Sequence, residues 1–117
     1  MVPFANDGLR IEVEERPGAA TVHWLGVSDT RDPGQHLTPY LASLVEELEG
    51  KQVTVDFRKL EYLNSATVSP IIAFVKQLDA RGIPATLLFD GTLDWQRLNA
   101  RSLSAIGRML THIEVRM

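Results

Sequence analysis

The sequence predicts an α/β fold, a mixed and mostly parallel sheet with packed helices in the order ββαβαβαβ. Three observations carry that expectation. Two period-two segments flank Arg16-Pro17-Gly18 near the start of the chain. Beyond them, apolar runs of strand length alternate with segments whose apolar residues recur every three or four positions. The 117 residues, 44% hydrophobic and 23% charged, suffice for one core, so residues 1–117 are expected to form a single domain. Such alternation implies right-handed crossovers between parallel strands after the opening hairpin.

Taken in order, Leu9, Ile11 and Val13 alternate with Arg10, Glu12 and Glu14, a strand with one wet face. Thr21 to Leu25 forms the second strand, with Gly26 breaking it, and the Pro-Gly turn between the two makes a hairpin. Ser28 to Gly34 reads as a loop. Thr38 and Pro39 then supply an N-cap and a first helical residue, and Leu37, Tyr40, Leu41, Leu44, Val45 and Leu48 share one face up to Gly50. Val53, Val55 and Phe57 give a third strand. Val68, Ile71, Ile72, Phe74, Val75 and Leu78 make a second helix closed by Arg81-Gly82. Its start is ambiguous between Ser65 and the locally stronger Ser69-Pro70. Pro84 to Phe89 is a continuous apolar run, expected to be a strand buried on both faces. A third helix spans Leu93 to Leu110, with Trp95, Leu98, Ser102, Ala105, Ile106 and Met109 near one stripe, before a last strand from His112 to Arg116.

Composition excludes several functions. The net charge of −3, with scattered cations, provides no field for nucleic acid or for an anionic membrane. Without cysteine there are no disulfides, thiolate nucleophiles or cysteine-held metals. Neither a signal-peptide pattern nor an apolar run of about 20 residues is present, so a soluble, cytoplasmic protein is expected.

Enzyme signatures are missing as well. There is no nucleophile elbow and no glycine-rich phosphate loop, and His23, His36 and His112 lie on separate elements without metal-ligand spacing. His23, beside Trp24, reads as a satisfied or surface histidine. Asp56 ends a central strand, as a receiver-type phosphoacceptor would. The further acids that hold a divalent ion are lacking, since only Glu14 and Glu15 stand near the earlier strand end. Neither a metal nor a cofactor is expected. Trp95-Gln96-Arg97 is a second notable cluster, in which Trp95 packs the third helix onto the sheet or belongs to a protein interface.

The segment Leu60-Glu61-Tyr62-Leu63-Asn64-Ser65-Ala66-Thr67-Val68-Ser69, followed by Arg81-Gly82 and the strand Ala85 to Phe89, resembles the STAS family, which includes bacterial anti-sigma-factor antagonists. Members of that family carry an Asp-Ser-Ser-Gly-Leu-Gly-like motif at the mouth of a helix. Asn64 stands where the family has Asp, Ala66 where a second Ser or Thr lies, and Thr67 where Gly is common. The resemblance implies a single STAS-like domain that is a non-enzymatic regulatory module, with Ser65 as phosphoacceptor for a serine kinase. Its partner would be that kinase, an anti-sigma-like protein or a sensor. Asn64, Thr67, Ser69, Arg31, His36, Trp95 and Arg97 are the candidate binding surface around it. A phosphate at Ser65 would add about −1.5 to −2 charge at a contact surface while sitting favourably at a helix N-terminus. The plainer role for Ser65 is a helix cap. Two other readings are a small ligand-binding protein or enzyme using Arg31, Asp32 and His36, and a homodimer held through an exposed edge strand.

Overall fold

A computed structural model describes residues Met1 to Met117. The strands are β1 (Phe4–Asn6), β2 (Leu9–Arg16), β3 (Ala19–Ser28), β4 (Gln52–Asp56), β5 (Leu60–Leu63), β6 (Ala85–Leu88) and β7 (Ile113–Arg116). The helices are α1 (Gly34–Glu47), α2 (Ser65–Ala80) and α3 (Asp94–Gly107). The sheet runs β1-β2-β3-β4-β6-β7, with β5 paired to the second half of β3. β1, β2 and β3 are antiparallel and the remaining pairs parallel. The expected ββαβαβαβ order is therefore present, with two short strands added to it.

Both additions have a physical source. β1 folds back on β2 through Asp7 and Gly8, both at positive φ (47° and 92°), so Asp-Gly here acts as a two-residue hairpin loop. Phe4 then packs on Tyr40 of α1 with ring centroids 5.1 Å apart, and the Tyr40 hydroxyl donates to the Val2 carbonyl at 2.8 Å. β5 exists because β3 does not stop at Gly26. Gly26 adopts φ 85°, the register slips between Gly26 and Val27, and β3 changes partner from β4 to β5. A Cβ on Gly26 would lie 2.0 Å from the Gly8 carbonyl oxygen, so the bulge requires glycine.

The helix starts differ from local capping rules. α1 begins at Gly34 rather than at Thr38-Pro39, because burying Leu37 completely recruits the preceding turn, with Leu37 N–H donating to the Pro33 carbonyl at 3.0 Å. α2 begins at Ser65 rather than at Ser69. Pro39 and Pro70 thus both lie inside helices. Each removes one donor, and the carbonyls left without it, on Gln35 and Ala66, belong to exposed residues that water can reach. Pro70 is buried against the first residue of α1, where a Cβ on Gly34 would sit 3.5 Å from its Cγ.

Alternating residues of the strands face one apolar core shared with all three helices. Trp24, Phe57 and Phe89 form an aromatic row across it, with centroid separations of 5.1 and 4.8 Å. Trp24 takes its place with the indole N–H buried and unpaired. β6 alternates between buried and half-buried residues, so the expectation of burial on both faces fails. Ala85 and Leu87 enter the core, whereas Thr86 and Leu88 lie on the face that the helices leave uncovered.

α3 turns a different face inward from the one its apolar spacing suggests. Gln96, Ala100, Leu103 and Gly107 are buried, while Leu98 and Met109 are 61% and 85% exposed. The reason is Gln96, which is fully buried. Its amide nitrogen donates to the carbonyls of Phe57 (2.9 Å) and Leu60 (3.1 Å), and its oxygen accepts from Asp90 N–H at 2.7 Å. The amide thereby satisfies the backbone where the chain crosses from β4 to β5 and where β6 ends. Replacing Gln96 by Leu should strip the Asp90 N–H of the amide oxygen and the Phe57 and Leu60 carbonyls of the amide donor, Phe57 keeping the Leu60 N–H at 3.0 Å, and cost about 1–3 kcal/mol in denaturant unfolding. A loss below about 0.5 kcal/mol would show that water replaces the amide.

Candidate functional site

β5 ends at Leu63 and delivers Asn64 and Ser65 to the start of α2. Asn64 is the N-cap, with extended backbone (φ −87°, ψ 171°). Its Oδ1 accepts from Thr67 N–H at 3.1 Å and from the Thr67 hydroxyl at 2.7 Å. Its Nδ2 donates to the Thr30 carbonyl at 2.8 Å, and its own N–H donates to the Ser28 carbonyl at 2.9 Å. Because Thr67 spends its only hydroxyl proton on Asn64, the 2.7 Å contact between Ser28 Oγ and Thr67 Oγ1 must have Ser28 as donor. A directed chain of hydrogen bonds thus runs from β3 through α2 to the cap, and the cap grips the loop leading to α1.

Thr67 is fully buried inside this chain, which removes it from the candidate binding surface. A glycine, which the resemblance favours there, could not supply the hydroxyl. Ser65 stands just outside. It is exposed, and the hydrogen bonds of the turn run through Asn64 and Thr67 and bypass it. Ser69, one turn further along α2, is exposed too.

The other candidates fall into two places. Arg31 and Asp32 are exposed in the loop whose Thr30 carbonyl Asn64 holds, and His36 is exposed on the first turn of α1 rather than in the loop. The cavity that this loop borders, beside Phe4, Asn6 and Ser28, measures about 10 Å³, room for one water at most. Trp95 and Arg97 sit on α3. Trp95 is half-buried, tilted on the exposed ring of Tyr62 with centroids 6.1 Å apart. Arg97 bonds to Asp94 at 2.6 Å and to the Gly91 carbonyl at 3.1 Å. Tyr62 was not singled out in the sequence. Tyr62 and Glu61 are both exposed between the buried Leu60 and Leu63, so no alternation in β5 marks Tyr62 as an outward residue.

Asp56 is buried at the end of β4 and held by Arg58 through the backbone N–H (3.0 Å), Nε (3.0 Å) and Nη2 (2.9 Å). His23 bridges toward it, with Nδ1 3.9 Å from Asp56 and Nε2 3.1 Å from Glu14, so His23 is the satisfied histidine expected. No group of three acidic or histidine side chains is disposed to hold a metal ion. The Arg58 hydrogen bonds outweigh the opposing effect of burial and hold the Asp56 carboxyl below its ordinary value. A carboxyl lowered in the folded state stabilises the fold above its unfolded pKa of about 3.9, and that stability is lost as pH falls through the folded value. Urea unfolding of the wild type should therefore weaken as pH is lowered from about 5 toward 2, and Asp56→Asn should flatten part of that fall. Parallel pH profiles for the two proteins would count against the ion pair.

Asn64 uses both ends of its amide, which a carboxylate cannot do. Asn64→Asp should lose the bond to Thr30 and press a charge against that carbonyl. The expected net loss near neutral pH is about 1–2 kcal/mol, after the gain of up to ~1 kcal/mol that an acid makes at a helix N-terminus. An unchanged unfolding midpoint would show that the Thr30 contact is dispensable.

No protein-family model and no curated protein matches the chain. Solved structures do. An anti-sigma factor antagonist from Mycobacterium paratuberculosis superposes with a TM-score of 0.68 at 17% identity, covering 94% of this chain and 88% of that one. The Bacillus cell fate determinant SpoIIAA in its phosphorylated form gives 0.60 at 12% identity, covering 92% and 91%. The anti-sigma factor antagonist SpoIIAA in its unphosphorylated form gives 0.51 at 13% identity, over 67% and 71%. The seven-stranded mixed sheet, the three helices and the strand–Asn64-Ser65–helix turn thus give this chain the fold of the anti-sigma factor antagonists, the fold that the resemblance to the STAS family implies.

Proposed function

We propose that the chain is a regulatory protein-binding module whose hold on its partner is switched by phosphorylation of Ser65. One observation carries the reading. Capping of α2 is performed by Asn64, so the exposed Ser65 hydroxyl has no architectural duty. It stands on the first residue of the helix, where the partial positive charge of the terminus favours an added phosphate. The fold supports the same reading, since among the structures it resembles is an antagonist solved in both phosphorylated and unphosphorylated forms.

In this mechanism the unphosphorylated protein docks through Ser65, Ser69 and the Arg31–His36 segment that Asn64 ties to them. Arg31, Asp32 and His36 serve as contacts rather than as a ligand pocket. Phosphate adds about −1.5 to −2 charge at the centre of that surface, and repulsion with desolvation expels the partner without refolding either protein. The partner is a serine kinase of the anti-sigma type or a sensor protein, and the module works without catalysis of its own in the cytoplasm. No helix of the chain is long and apolar enough to cross a membrane.

The test is capture of the partner from the native host with wild type, Ser65→Ala and Ser65→Asp as baits. Ser65→Ala should bind like unphosphorylated wild type, and Ser65→Asp should lose about tenfold or more in affinity. Both variants should unfold within about 0.5 kcal/mol of wild type, because the cap is elsewhere. Equal binding by Ser65→Asp, or a phosphopeptide map with the phosphate on another residue, would sink the switch.

A further inference from the structure

The apolar stripe that the sequence places on α3 lies largely outside the core, with only Trp95 packed against its border. Trp95, Leu98, Ser102, Ala105, Ile106 and Met109 recur at three- and four-residue spacing along the helix and the turn after it. At about 100° per residue their stripe points roughly 140° away from the face carrying Gln96, Ala100, Leu103 and Gly107, which is buried. Leu98 and Met109 are mostly exposed, Ser102 and Ala105 are exposed, and Trp95 and Ile106 are half-buried. Tyr62 extends the stripe beyond the helix by leaning on Trp95. Between Leu98 and Met109 on this stripe, Ser102 and Ala105 are small and exposed, which favours close approach of another helix.

Charge along the stripe is one-sided. Arg97, Arg101 and Arg108 follow one another on a single edge, whereas Asn99 and Leu110 lie on the opposite edge. Arg97 is paired with Asp94, and Arg101 and Arg108 are exposed and form no ion pair within the chain. Two copies meeting antiparallel through this stripe would bring like edges together, arginine against arginine. A lipid surface calls for cations on both flanks of an apolar face, and the chain as a whole carries −3. An apolar helix with an acidic edge satisfies both the stripe and the arginines.

We infer that the outer face of α3, from Trp95 to Met109, is a docking surface for an acidic amphipathic helix of a partner protein. This surface is separate from the Ser65 turn and does not depend on phosphorylation.

Two synthetic peptides of about 18 residues test it, sharing a leucine seam and carrying either Glu or Lys along the flanks. Each is titrated into the full chain and followed by amide chemical shifts. The Glu-flanked peptide should bind about tenfold more tightly than the Lys-flanked one, with shifts centred on residues 95–109 and Tyr62. Leu98→Glu should weaken it about tenfold or more, and Arg101→Glu combined with Arg108→Glu should invert the preference. Leu98 is exposed, so an unchanged unfolding midpoint is expected and separates lost docking from lost folding. Ser65→Asp should bind the acidic peptide as wild type does, so the two surfaces can fail independently. Equal affinity for both peptides, no binding of either, dimerisation in sedimentation, or binding only to phosphatidylglycerol vesicles would each overturn the proposal.

Discussion

Everything at the candidate site depends on one strand being allowed to continue past the point where its first neighbour stops. β3 runs ten residues, and the bulge at Gly26 transfers its pairing from β4 to β5. Only a residue without a Cβ can take φ 85° there with the Gly8 carbonyl so close. That transfer brings Leu63-Asn64 beside Ser28 and Thr30, and Asn64 then closes the helix end with both halves of its amide. Ser65 is presented on a frame assembled from β3, β5 and α2 together. The hydrogen bonds of that frame run through Asn64 and Thr67, so the exposed Ser65 hydroxyl can change without breaking any of them.

A second buried amide settles the orientation of α3. Gln96 is more strongly constrained than any apolar residue of that helix, because its buried amide bonds three backbone groups of two other segments, the Asp90 N–H and the Phe57 and Leu60 carbonyls. Satisfying them turns Gln96, Ala100, Leu103 and Gly107 inward and leaves the better hydrophobic stripe outside. Each buried polar group left unpaired costs about 1–3 kcal/mol, as much as burying a side chain such as Leu98 or Met109 gains. The two amides, at 64 and 96, sit near the C-terminal ends of β5 and β6, the end where α/β sheets gather their sites.

Much of the architecture was legible in the residues. Pro17-Gly18 marked the hairpin, period-two alternation marked β2 and β3, and helical spacing marked α1 and α2 along most of their length. The resemblance placed Ser65 on the first turn of α2, where the structure has it, although Ser69-Pro70 was the stronger local signal. Asp7-Gly8 carried a hairpin signal for β1 that its short, mixed flanks obscured. β5 left less trace, since Leu60 to Leu63 shows no alternation and exists as a strand only by pairing with β3.

The sequence alone determined the α/β class and the order of the principal elements, because these follow from local periodicity and turn chemistry, whereas the serine at the mouth of the second helix came from the family resemblance against the stronger local signal. Tertiary structure decided which side chain caps that helix, which residues around it are accessible, and which face of α3 meets solvent. Asn64, Thr67 and Gln96 are polar residues that sequence patterns assign to the surface, yet Thr67 and Gln96 are fully buried and Asn64 partly so. Their partners are hydroxyls and backbone groups more than thirty residues away as well as within the same turn. A hydrogen bond of that kind depends on where two distant segments come to rest, and no local spacing encodes it.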